Sequence, residues 1–295
     1  MPELTHTVTP AEAGRTVKSI ALKEMKLSRG MFSSLKFAGG LTVNGEPVRA
    51  DYRLNPGDAL SAKWQDGPGE KPAAWDVPFD ITWQDDHYWI IHKPAPLPTL
   101  SSAHQARPTL ENALYARLGC PEGYLFRPVN RLDKGTSGLM AVARDAHAQQ
   151  LLQRQLHSDT FIREYKALCI GSLPASQGVI DLPIISREGE TRRTVGEGGR
   201  EAETHYQVEW AQNGLSLVRL RLKTGRTHQI RVHLSALGCP IVGDYLYGSP
   251  CEGLPGRFAL HAWLLQFSHP FTGETVRIEA PLPDSIMALM QKPAP

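Results

Sequence analysis

The sequence predicts an α+β protein: a mixed, largely antiparallel central sheet, preceded by a small module of helices and short strands. Three observations predict it. In the last two thirds of the chain, strand-like runs outnumber helical ones and do not alternate with them, which argues against a doubly wound nucleotide-binding fold. Residues 64–78 (WQDGPGEKPAAWDVP) hold two glycines and three prolines and read as a linker. The 295 residues, 41% of them hydrophobic, suit one small and one large domain, each with a core. The expected boundaries are a first module over 1–63, the linker over 64–78 and a large domain over 79–290.

The first module reads helix, helix, hairpin, strand. Residues 17–25 have helical spacing, and Ser28 is placed to cap a second helix over 29–38 with Met31, Phe32 and Leu35 on one face. Gly39 and Gly40 end it. Residues 41–43, the Asn44-Gly45 turn and residues 46–48 form a hairpin. A second turn, Asn55 to Asp58, leads to a closing strand over 59–64. In the large domain, strands are expected at 79–83, 88–92, 139–143, 161–170, 204–210, 215–222 and 275–280. Helices are expected at 145–157 and 228–237, the latter with Ile230, Leu234 and Leu237 on one face and Gly238 as its stop.

Composition narrows the classes. No apolar run reaches the roughly 18 residues a membrane span needs, and residues 1–10 lack the charged start and apolar stretch of a secretion signal. Cys120, Cys169, Cys239 and Cys251 are widely spaced with no CxxC pair, which argues against zinc and against a disulfide framework. The chain is read as cytoplasmic. The net charge of +2 is uninformative, but between Arg15 and Lys36 six basic residues stand against Glu24 alone. Such a patch is either a phosphate footprint or a solvated helix face.

Three stretches carry candidate chemistry. In RPVNRLDKGTSGL (127–139), Asp133 sits in a turn whose Gly135 and Gly138 allow tight backbone, so its carboxylate can project from a sheet end into a cleft. Thr136 and Ser137 are placed to fix that loop through its backbone. The same residues also fit an aspartate that only caps a loop. In TGRTHQIRVHL (224–234), Thr227 is placed to cap a helix, and Arg226 stands just before that helix, where a guanidinium can grip an anion or merely cover the helix end. His228 and His233 are five apart with no carboxylate between them, so they read as structural rather than as metal ligands. In FIREYKAL (161–168), Tyr165 shares a strand face with Arg163 and Ala167 and can stack on a base, or simply fill a core. The segment EGETRRTVGEGGR (188–200) fits either a basic loop that closes over RNA or an ordinary surface hairpin.

In this order and spacing the stretches resemble the RluA-type pseudouridine synthases. The family's HRLDxxTSGL appears as Asn130-Arg131-Leu132-Asp133 followed by Thr136 to Leu139, and its GRTHQIRVHL run is unbroken from Gly225 to Leu234. Weaker echoes lie at 76–79, 92–94, 178–181 and 202–206, and Arg163 or Glu164 stands where the family's strand carries lysine. Residues 15–63, with the VNG and PGD turns, resemble the small RNA-binding module first named for a ribosomal small-subunit protein, the S-four type.

The resemblance implies a pseudouridine synthase fold and the isomerisation of uridine in RNA. Asp133 matches the family's nucleophile, Arg226 the arginine paired with it, and Tyr165 the tyrosine on which the target base stacks. Arg131 matches the arginine that fills the gap left by the flipped uridine, and Lys18, Arg29 and Lys36 match basic residues presented to RNA. Asn130 departs from the family histidine, which bears on RNA contacts or loop packing. The expected partner is RNA, ribosomal RNA favoured and tRNA possible, and the chain is expected to act as a monomer. The reaction involves no redox step and no group transfer, so no cofactor is expected, in keeping with the absence of GxGxxG and GxxxxGK[ST] loops. Two other readings stay open: an RNA-binding or assembly protein of the same fold without catalysis, and a base-releasing glycosylase. Against the latter, no second carboxylate lies near Asp133 in sequence.

Overall fold

The computed structural model describes residues 3–64, 71–100, 107–156 and 158–292. Its contacts divide the chain into two compact units. The first comprises Met1–Lys71 with the short stretches Gly123–Leu125 and Asp145–Leu151, and the second comprises the rest. Of the expected linker, residues 65–70 lie outside the described residues, and 71–78 carry no regular secondary structure.

The first unit opens on β1 (Glu3–Thr7), a strand that the polar stretch ELTHT did not announce. Thr16 caps α1 (Val17–Lys23) by accepting from the Ser19 amide, and Ser28 caps α2 (Arg29–Ala38) by accepting from the Met31 amide at 3.0 Å. Gly39, in the left-handed region, ends α2. Next come β2 (Leu41–Val43), β3 (Glu46–Pro47) and β4 (Ala59–Lys63). The Asn44 side chain donates to Asp58 and accepts from the Ala59 amide, both at 2.9 Å, so the two turns lock each other. The strands form one sheet in the order β1-β4-β2-β3, with Val17, Ile20, Phe32, Leu35, Leu41 and Leu60 in its core.

The second unit begins with β5 (Asp80–Gln84), β6 (Tyr88–Lys93), α3 (Leu110–Arg117), β7 (Arg127–Pro128) and β8 (Ser137–Ala143). Then α4 (Ala146–Gln153), which belongs to the first unit as far as Leu151, starts where the Asp145 carboxylate accepts from the amides of His147 and Ala148. Turns replace the last residues of the helix expected over 145–157, and His157 lies outside the described residues. β9 (Ile162–Ile170), β10 (Gln177–Asp181), β11 (Ile184–Ile185), β12 (Thr194–Val195), β13 (Glu203–Gln212) and β14 (Leu215–Leu222) follow. The chain continues through α5 (Gln229–Ala236), β15 (Leu260–Ser268), β16 (Thr275–Glu279) and α6 (Asp284–Met290).

The large sheet runs β10-β13-β14-β9-β15-β8-β6-β5, with β16 on β15 and β7 on β8. The β8–β15 pairing is parallel and the other pairings of this sheet are antiparallel. The fold is therefore α+β with a largely antiparallel sheet. Every residue of β8 is buried, and one apolar cluster joins Met140, Val142, Leu168 and Val218 of the strands to Leu114, Ile230 and Ile286 of the helices. Sequence periodicity missed α3 because it is buried on most sides and has no polar stripe, and missed β15 because LHAWLLQFS, with His261 and Gln266 among its apolar residues, does not alternate. Among the described residues no helix is long and apolar enough to cross a membrane.

Two glycines hold the turn into β8. Gly138 has φ +109°, and a Cβ there would lie 2.2 Å from the Ala262 carbonyl oxygen of β15. A Cβ on Gly135 would meet the Phe258 ring at 2.5 Å. Gly138→Ala is expected to lower stability by at least about 3 kcal/mol, because strain and a backbone clash add; thermal unfolding of the variant measures it.

Buried histidines make the fold sensitive to acid. Burial, reinforced by the neighbouring His92, pushes His261 down from 6.5 to about 4. Burial also lowers His233, whose two ring nitrogens are taken by Thr204 Oγ1 and the Leu182 carbonyl. Below pH 6.5 the unfolded chain binds protons that the folded chain refuses, so stability falls as pH drops from 6.5 towards 4. Denaturant titrations at pH 7.5 and pH 5 are expected to differ by on the order of a few kcal/mol, pH 5 being the weaker.

Candidate active site

A cleft of about 600 Å³ opens in the second unit. Its walls come from the loop after β7, from β9, and from the turn that leads into α5. Asp133 stands at the tip of the first of these. The loop is pinned on both sides: the Thr99 hydroxyl donates to the Leu132 carbonyl at 2.7 Å, the Leu97 amide to the Lys134 carbonyl at 3.0 Å, and the Thr136 amide to the carbonyl of Asp133 itself at 3.1 Å. Lys93 Nζ, buried beneath, donates to the carbonyls of Pro94 and Leu97, and burial lowers its pKa to about 7. Asn130, at the position where the family carries histidine, is a buried peg: its side-chain oxygen accepts from the Ala141 amide of β8 at 3.0 Å. Ser137 does not bond the loop backbone as expected. Its hydroxyl pairs with His261 Nδ1 at 2.8 Å and accepts from Arg257 at 3.1 Å, so it anchors β8 to β15 instead.

The Asp133 side chain keeps 29% exposure, so the nucleophile candidate faces the cleft. Its cationic partner is Arg231 of α5, whose Nη1 lies 3.1 Å from Asp133 Oδ2. The rest of that guanidinium grips the fully buried Asp244 in a fork, Nε to Oδ2 at 2.7 Å and Nη2 to Oδ1 at 2.8 Å. Its plane lies over the rings of Phe258 and Tyr247, at 4.3 and 4.9 Å. Burial pulls the Arg231 pKa down, but the bonds and charges of Asp244 and Asp133 outweigh it and raise the net value. The arginine therefore stays charged while nearly shut off from water.

The pair expected between Asp133 and Arg226 is not formed. Arg226 lines the cleft, but its Nε donates to the Glu201 carbonyl at 2.9 Å. Nor does Thr227 cap α5. The cap position is His228, in the left-handed region at φ 60°, and Gln229 folds back to accept from the Arg226 amide and the Thr224 hydroxyl. His233 is structural, as expected. His228 is not remote from the chemistry: its Nε2 lies 4.0 Å from Asp133 Oδ2 and its Nδ1 meets the Tyr247 hydroxyl at 2.9 Å. Burial lowers its pKa below 6.5 despite the pull of Asp133, so its ring is neutral at pH 7.

Tyr165 and Arg163 alternate on β9 and both line the cleft. Burial raises the Tyr165 phenol, against the opposing charge of Arg163, so it keeps its proton at neutral pH. Arg131 is exposed at the mouth. Lys18, Arg29 and Lys36 are exposed on α1 and α2, away from any ion pair among the described residues, whereas Arg15 is paired with Glu24 at 2.8 Å. The segment 188–200 contains β12, which pairs with β11, and the Arg193 amide donates to the Tyr247 hydroxyl at 2.8 Å. Cleft chemistry is thus a carboxylate between a fixed guanidinium and an aromatic wall, with Arg131, Lys134, Arg163 and Arg226 around it.

Comparison with known proteins places the chain in a family. A family model described as RNA pseudouridylate synthase matches residues 87–236, the span that holds Asp133, Tyr165 and Arg231. The chain belongs to the RluA-type family of RNA pseudouridine synthases. It is 37% identical over 283 residues to an uncharacterized RNA pseudouridine synthase of Bacillus subtilis, covering 94% of this chain and 98% of the relative. It is 35% identical over 307 residues to ribosomal large subunit pseudouridine synthase D of Vibrio cholerae, covering 97% of this chain and 94% of that one. The solved structure of human RNA pseudouridylate synthase domain containing 4 superposes with a TM-score of 0.58 at 25% identity, over 72% of this chain and 92% of that one. As a pseudouridine synthase, the protein is an isomerase acting on uridine in RNA.

Sequence reasoning missed Arg231 and Asp244 as parts of this site. The signal was present: an arginine flanked by Ile230 and Val232 in a helix with no polar stripe needs a buried acid, and Asp244 follows an apolar stretch. The geometry separates the two arginines. Arg231→Lys cannot hold both carboxylates and is expected to lower kcat roughly 100- to 1000-fold. Arg226→Lys is expected to leave kcat within a few-fold and to act on KM. Steady-state kinetics on both variants, with thermal unfolding as a control, checks this.

Proposed function

We propose that the protein isomerises specific uridines of ribosomal RNA to pseudouridine, with the Asp133 carboxylate as nucleophile. The observation that carries this reading is the Asp133–Arg231 contact of 3.1 Å at the edge of a cleft large enough for a nucleoside, with Tyr165 on its wall. The ribosomal substrate is supported by relatives named ribosomal large subunit pseudouridine synthase D that match nearly the whole chain.

In the reaction the C1′–N1 bond of the nucleotide breaks, a C1′–C5 bond forms, and the proton on C5 leaves as N1 gains one. The Asp133 carboxylate, steadied by Arg231, attacks the sugar or the base, or stabilises the sugar between the two bonds. The uridine must first leave its stack, at a cost of roughly a few kcal/mol. Stacking on Tyr165, worth roughly 1–3 kcal/mol, offsets part of that, and Arg131 at the mouth enters the vacated gap. The residues Lys18, Arg29 and Lys36, in the S-four-like fold of residues 1–63, contact RNA phosphates. Asp133, Tyr165 and Arg231 all come from one chain, which supports action as a monomer. The four cysteines are free, Cys169 and Cys239 among them buried, which supports a reducing, cytoplasmic setting.

Asp133→Asn keeps the size of the side chain and removes its charge. It is expected to fold, to bind RNA, and to lose pseudouridine formation by at least about 10⁴-fold. Pseudouridine mapping of ribosomal RNA from cells with the wild-type protein, with the variant and with neither is the measurement. Sites that persist in the variant would refute the role of Asp133, and sites lost only in another RNA class would refute the ribosomal substrate.

A further inference from the structure

Arg163 is a second buried arginine of the cleft, and its situation is the opposite of that of Arg231. It is 8% exposed. Arg231 has two carboxylates; Arg163 has none within 4.0 Å among the described residues. Its one acceptor there is the Leu156 carbonyl, 3.3 Å from Nη2, and its Nε is buried without a partner. The Phe161 ring lies 5.8 Å from the guanidinium carbon. A Cβ on Gly225 would come within 3.2 Å of Nη1, so the glycine of the GRTH turn leaves the guanidinium its room.

A guanidinium in this state has given up water without gaining an anion, which costs several kcal/mol unless a ligand supplies the charge. The side chain also lies where a ligand must arrive. Arg163 and Tyr165 are two residues apart on β9 and leave the strand on the same face, into the same cleft. A base stacked on Tyr165 brings its own sugar and phosphates alongside. The anion available at that distance is a phosphodiester, and a planar fork with free N–H groups suits it.

We propose that Arg163 is a phosphate site of the catalytic cleft, gripping the phosphodiester that adjoins the flipped uridine whose base lies on Tyr165. The assignment rests on the proposed function and adds a ligand atom class to a residue that function left unassigned. It gives the buried charge of Arg163 a partner that only substrate brings. Binding energy is thereby tied to the extruded nucleotide rather than to RNA at large.

The test follows tritium released from RNA labelled at uracil C5, because that hydrogen leaves when the base rejoins through C5. The substrate is total RNA from cells lacking the protein, which contains the target whatever its identity. The kcat/KM is measured against salt concentration for wild type, Arg163→Gln, Arg163→Met and Arg163→Lys, with thermal unfolding of each. Both neutral variants are expected to lose roughly tenfold to a hundredfold in kcat/KM. Their log–log salt dependence is expected to be shallower by about 0.7, the share of one single-strand phosphate contact. Arg163→Lys is expected to recover the wild-type slope. A loss of activity with an unchanged slope would place the guanidinium on a uracil carbonyl and overturn the phosphate assignment. Unfolding of both neutral variants would assign Arg163 to packing and overturn it too. A wild-type protein that releases no tritium would instead defeat the proposed function, so the two failures are distinct.

Discussion

Arg231 carries a full charge at a place almost closed to water, and two carboxylates from different parts of the chain meet on it. Asp244, wholly buried, takes two of its N–H groups and fixes the plane of the guanidinium. Asp133 takes a third from the cleft side. Remove the buried acid and a guanidinium is left desolvated and half paired, at a cost on the order of 3–5 kcal/mol. Remove the arginine and the two carboxylates lose the cation they share. The helix α5, the turn at Asp244 and the loop of Asp133 are thus held in register by one side chain. Its placement over Phe258 and Tyr247 keeps water from competing for the N–H groups.

The cleft is asymmetric in charge. Asp133 is the one acid on its wall among the described residues, set among Arg131, Lys134, Arg163, Arg226 and Arg231. The protein as a whole carries only +2, so this field is local and depends on folding. It suits a polyanion threaded past a single carboxylate. Tyr165 adds an aromatic ring to the cleft lining, its phenol kept protonated by burial. His228, neutral at pH 7 and pinned by Tyr247, brings a ring to within 4.0 Å of the Asp133 carboxylate without adding another charge.

The likeness of this chain to its family was legible in two motifs, and each motif turns out to mix chemistry with carpentry. In RPVNRLDKGTSGL, Asp133 faces the cleft, while Asn130 pegs the loop to β8, Gly135 makes room for Phe258 and Gly138 makes room for the backbone of β15. In TGRTHQIRVHL, Arg231 does what had been expected of Arg226, and Gln229 ties down the turn before the helix where a Thr227 cap had been expected. Linear spacing cannot distinguish two arginines five residues apart on the edge of a helix. Only the position of the second acid, Asp244, decides which of them is buried and paired.

The sequence by itself determined the fold class, most of the strands, the two capped helices of the first unit and the nucleophile candidate. Those features rest on local rules: alternation, capping side chains, and glycines where a Cβ has no space. The edge strand β1, the buried helix α3 and the strand β15 escaped it, because their partners are distant in sequence and their own patterns are ambiguous. The tertiary structure alone decided which cation serves Asp133 and which buried cation, among the described residues, has no carboxylate. Pairing of buried charges is a contest among groups brought together from Asp133 to Asp244, and distance in space, not along the chain, settles it.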